Sequence, residues 1–148
     1  MQFDKETQVR ILRVAADRID GRPVSEVDSR IAHVMDMHPE FEEAWKMGEM
    51  AVYPQEINGQ IVNPFVHTVL HVIIDTQLND GNPEIVTLTY KRLLEEGMDV
   101  HDCLHAIIHS FGDIHFANFR TGKPFDHLDY QSRLMSLSYV DKEELDGE

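Results

Sequence analysis

Histidine recurs at every fourth position in two stretches of the chain: His67 and His71, then His101, His105 and His109. Aspartate extends both rows, at Asp75 and Asp113. Four residues turn an α-helix by about 400°, so each row drifts only about 40° per step and holds one helix face. Val66, Val69, Leu70, Val72, Ile73 and Ile74 fill the other positions of the first stretch; Leu104, Ile107, Ile108 and Phe111 fill those of the second. A solvent face is normally built from Glu, Lys, Arg and Gln. Residues 64–83 and 99–119 contain no Glu, Lys or Arg, although charged residues make up 27% of the chain. Two central helices, each apolar on most sides and each carrying an imidazole stripe, are therefore expected.

The surrounding sequence also reads as helical. Asp4 caps a first helix to about Ile19, with Val9, Leu12, Ala16 and Ile19 on one face. Gly21 and Pro23 end it, and Ser25 caps a second helix carrying Val27, Ile31, Val34 and Met35. A third runs from Glu40 to about Ala51. Asn58-Gly59, between Ile57 and Ile61, signals a tight turn or very short hairpin. Asn63-Pro64 starts the fourth helix, to about Leu78, and Asn82-Pro83 starts a fifth, ending at Gly97. Asp99 caps a sixth, to about Phe119 or Arg120. Asp126 caps a last helix with Leu128, Leu134 and Leu137, before an acidic tail, DKEELDGE, expected to fray. The expected class is all-α: an irregular bundle of six to seven helices in one domain over residues 1–148.

Composition removes several functions. A net charge of −14 disfavours nucleic acid, whose binding needs a basic footprint, and disfavours adhesion to an anionic membrane. The longest apolar run, Val69–Ile74 apart from His71, is too short to span a bilayer. Cys103 is the only cysteine, so no internal disulfide forms, as suits a reducing compartment. The N-terminus is charged from Asp4 onward and carries no signal-peptide pattern. These features place the protein in the cytoplasm.

The candidate chemistry is metal binding. Neutral imidazole is the commonest protein metal ligand, and helix bundles build metal sites from side chains on facing helices. Two histidine pairs supply four nitrogens, enough for a tetrahedral zinc site; five histidines in two rows instead suit two metals. Asp75 and Asp113, at the far ends, are placed to orient imidazoles. His38 and Glu42 are also four apart, with Pro39 between them. The zinc-protease dyad is absent, since His67 precedes Thr68 and His101 precedes Asp102. Ser110 adjoins His109 but points elsewhere on a helix, so no serine triad assembles. His33, His115 and His127 lie off the rows, and Cys103 reads as a small core residue.

Several of these motifs resemble the DUF1841 family of bacterial proteins: HPEF at 38–41, NPFVHTVLH at 63–71, DVHDCLHAIIHSFGD at 99–113, and Gly122 and Asp126 followed by Tyr130. The resemblance spans roughly residues 30–132. It implies that Glu42 stands where the family favours His, and His109 where it favours Glu. An exchange of that kind makes sense if both groups face one ion. The family brings no activity to transfer.

Three readings follow. The first is a metal-binding helical protein using His67, His71, His101, His105 and His109, with Glu42 and His38, and holding zinc, iron or nickel. It extends to a metal-dependent hydrolase of a small-molecule substrate, because a metal-bound water becomes a nucleophile near neutral pH, or to a His-rich di-metal enzyme. The second is a non-catalytic store, sensor or metal-stabilised domain. The third is a metal-free interaction module with a pH-sensitive histidine face. A homodimer is compatible with each.

Overall fold

Asp4 accepts a hydrogen bond from the Thr7 backbone N–H over 2.8 Å, which closes the first turn of α1 (Lys5–Ile19). The computed structural model describes residues 1–139; the acidic DKEELDGE tail lies outside them. Among the described residues there are seven α-helices and one two-stranded hairpin, so the chain is mostly helical, as its periodicity implies. It divides into two compact units, Met1–Ile73 and the part from Ile74 onward.

In the first unit, α1 is followed by a 3-10 turn (Glu26–Asp28) and α2 (Ser29–Asp36). A 3-10 turn (Pro39–Phe41), the short α3 (Glu42–Lys46) and another 3-10 turn (Gly48–Val52) come next. The third helix expected over residues 40–51 is thus broken in three. Pro39 opens its first turn, and Gly48, at φ +64°, adopts a left-handed conformation that ends α3. The hairpin pairs β1 (Gln55–Ile57) with β2 (Gln60–Val62), Ile57 opposite Gln60. Asn58 and Gly59 both have positive φ, as a two-residue turn of this hand requires. α4 (Pro64–Asp80) then leads into the second unit.

The first unit's core joins Ile11, Val14 and Ala15 of α1 to Ile31, Val34 and Met35 of α2, with Phe41, Trp45, Phe65, Val69 and Val72. The buried face of α1 differs from the expected one: Val9 and Ile19 are exposed. Both stripes have helical spacing, and Ile11, Val14 and Ala15 are the ones that share a core with Ile31, Val34 and Met35 of α2. Ser25 also departs from expectation. It precedes the 3-10 turn without capping it and donates its hydroxyl to Asp28 Oδ2 over 3.2 Å. Asp28 in turn accepts from Arg10 Nε (2.7 Å) and Arg13 Nη2 (3.1 Å), tying α1 to the start of α2.

The second unit packs α5 (Glu84–Glu95), α6 (Val100–Arg120) and α7 (His127–Ser136) on one another. Asp99 and Asp126 cap α6 and α7, accepting from the Asp102 and Asp129 N–H groups. Leu93, Met98 and Cys103 form a core cluster, and burial pushes the Cys103 thiol up from its ordinary pKa. Arg92 donates to the carbonyls of Leu134 and Leu137 at the end of α7, at 3.1 and 2.8 Å, supplying partners that the last turn of a helix lacks. Leu128, expected among the packed leucines of α7, is 80% exposed; Tyr130 and Leu134 take the buried positions. No helix among the described residues is long and apolar enough to cross a membrane.

Candidate metal centre

The first unit brings three histidines together by ordinary helix-end chemistry. α2 ends at Asp36, and His38 takes an extended φ of −126° because the residue before a proline avoids the helical region. Its ring folds back over the end of α2, where Nδ1 lies 2.7 Å from the Val34 carbonyl oxygen. A carbonyl only accepts, so Nδ1 carries the proton and Nε2 keeps its lone pair. At α4, the Asn63 side chain accepts from the Val66 N–H over 3.1 Å, and Pro64 takes the first helical position. That start fixes His67 in the first turn and His71 one turn later.

The three rings meet. His38 Nε2 stands 3.1 Å from His67 Nε2. Ring centroids are 4.7 Å apart for His38 and His67, 4.5 Å for His38 and His71, and 4.9 Å for His67 and His71. One ligand nitrogen from each of these three lies within 4.8 Å of the others. His38 and His71 are buried, and His67 is half-buried. Phe41 stacks on His38 at 5.3 Å and meets His67 edge-on at 5.3 Å, holding both rings from the apolar side.

The donor set suits a borderline transition metal. Two imidazole nitrogens on one tetrahedral zinc, each about 2.0–2.1 Å from it, stand about 3.3–3.4 Å apart. The 3.1 Å between His38 and His67 is close to that spacing. The hydrogen bond from His38 to Val34 sets tautomer and ring orientation in the way metal-ligating imidazoles require. Sequence reasoning did not find the Val34 carbonyl. The only available signal was that Val34 lies four residues before His38, at a helix end.

The remaining sequence candidates are placed as follows. His101 and His105 sit side by side on α6, ring centroids 4.0 Å apart, with His101 exposed and His105 half-buried. His109 is exposed. Glu42 accepts from Arg18 Nη2 over 3.0 Å, and that same nitrogen donates to Asp36 over 2.6 Å. Burial alone would lower the Arg18 pKa, but its hydrogen bonds to Asp36 and Glu42 raise it. Asp113 is exposed and lies 3.7 Å from Arg133, while Asp75 is half-buried on α4.

The sequence profile of DUF1841, a domain of unknown function, matches residues 5–136. The chain belongs to the DUF1841 family. The match extends the resemblance seen in the motifs to the whole of α1 and α7, so both units carry the family's sequence. No curated protein and no solved structure matches the chain.

Proposed function

We propose that this DUF1841 protein binds a divalent transition-metal ion through His38, His67 and His71. Zinc is the first choice; iron and nickel also accept imidazole. One observation carries the reading: two Nε2 atoms 3.1 Å apart, one of them stripped of its proton by the commitment of His38 Nδ1 to Val34. At 3.1 Å the two nitrogens can share one proton in a hydrogen bond, and an ion between them takes both lone pairs in its place.

A catalytic zinc keeps three protein ligands and an open position, whereas a structural zinc is closed by four. Hydrolysis of a small molecule is the chemistry an open position supports, because the bound water ionises near pH 7. An ion closed by a fourth ligand would make this a metal-stabilised or metal-storing protein. The acidic charge and lone thiol support a cytoplasmic protein without a nucleic-acid partner.

The test is elemental analysis of protein purified without a histidine tag, beside His38→Ala and His71→Ala. About one equivalent of metal, lost in both variants, is expected. Wild-type protein that holds no metal and takes none up on reconstitution sinks the proposal.

A further inference from the structure

Thr68 lies on α4 between His67 and His71. It is 1% exposed, and its hydroxyl has no hydrogen-bond partner. A hydroxyl in a helix usually donates to the carbonyl four residues back. Ser110, Thr121 and Ser136 do so in this chain, to Ala106, Ala117 and Ser132 at 3.1, 3.2 and 2.9 Å. Thr68 does not use that partner, so its buried oxygen is turned away from its own backbone. A second buried donor in the same unit, the indole N–H of Trp45, is also unpartnered; Trp45 is 3% exposed.

Thr68 shares surroundings with the three histidines, and Trp45 belongs to the core beside them. Thr68 is three residues from His71, a neighbouring position on a helix surface. It falls within the stripe Phe65, Val69 and Val72 that α4 contributes to the core holding Phe41 and Trp45. Phe41 covers His38 and His67, and Trp45 follows it by one helical turn. Leaving a buried hydroxyl and a buried indole N–H unpaired destabilises the protein, and valine would fill the Thr68 position without that cost. A buried hydroxyl of this kind finds its partner in an ordered water or a ligand.

We propose that Thr68 is a ligand-binding residue of the metal site. Its hydroxyl donates to a small acceptor, water or a monovalent anion, at a coordination position the histidines leave open. The proposal rests on the metal reading above and extends it: the ion takes an exogenous ligand, and the pocket selects a small acceptor.

The experiment uses protein loaded with cobalt(II), titrated with azide and followed by visible absorption, alongside thermal melts of the metal-free protein. Thr68→Val is expected to keep the cobalt stoichiometry and to weaken azide binding about tenfold, the effect of losing one hydrogen bond to an anion. Its metal-free form is expected to melt about 2–4 °C higher, since an unpaired hydroxyl is gone. Thr68→Ser is expected to restore azide affinity. Should Thr68→Val fail to fold, Thr68→Ala carries the same expectation for azide. Unchanged azide affinity at full cobalt occupancy overturns the role of Thr68 and leaves the metal reading standing. Wild-type protein that binds cobalt but no azide does the same, because the ion is then closed. Absence of cobalt binding overturns both.

Discussion

The Nδ1–H of His38 is committed to the Val34 carbonyl over 2.7 Å, so the last turn of α2 decides which nitrogen His38 offers to α4. The Val34 carbonyl, in the last turn of α2, also accepts from the Met37 N–H over 3.2 Å and carries partial negative charge. His38 adds a second donor and in return is held with Nε2 facing His67.

Metal should therefore stabilise the folded chain. A ligand at about a thousand times its Kd adds about 4 kcal/mol to unfolding, or roughly 10 °C in Tm for a chain of this size. Zinc is expected to raise the melting temperature of the wild-type protein and to leave that of His38→Ala unchanged. Equal shifts in both would remove His38 from the ligand set.

Glu42 is bound by Arg18 rather than free to turn. Glu42→Gln is expected to retain full metal content and to cost roughly 1 kcal/mol in a urea melt, as suits a half-exposed ion pair. Loss of metal in this variant would show that the carboxylate coordinates.

Burial acts to raise the pKa of Asp28, but its hydrogen bonds to Arg10, Arg13 and Ser25 and the Arg10 charge bring it below the ordinary carboxylate value. A carboxylate depressed in the folded state contributes stability above its unfolded pKa of about 4 and loses it as pH falls through the folded value. Asp28→Asn is expected to cost about 2 kcal/mol at neutral pH, the scale of a charge-assisted hydrogen bond. It should also flatten the fall in stability below about pH 4. Parallel pH profiles for variant and wild type would contradict this.

Tyr130 donates to Gln77 Oε1 over 2.8 Å from a nearly fully buried position, and burial pushes its phenol pKa upward. Tyr130→Phe leaves the Gln77 oxygen unpaired, with an expected loss of about 1–2 kcal/mol in chemical denaturation. The change lies in the second unit and should leave metal content untouched.

Local chemistry made much of the fold legible. Asp4, Asp99 and Asp126 cap the helices their positions promised, and Asn58-Gly59 forms the expected turn. The His67 and His71 stripe falls where four-residue spacing puts it. Breaks within residues 39–52 were harder to read, because short 3-10 turns and helix share the same apolar spacing. The packed face of α1 was harder still. Two stripes satisfied helical periodicity, and only contact with α2 selects Ile11, Val14 and Ala15 over Val9 and Ile19.

The sequence by itself determined the helical class, the caps and the imidazole rows, because each depends on residues within a few positions of one another. The tertiary structure decided that His38, 29 residues before His67, meets it nitrogen to nitrogen. It also placed Glu42 on Arg18 and left Thr68 without a partner. Those outcomes depend on how helices pack and on which backbone carbonyl lies in reach of a ring, and no local pattern encodes either.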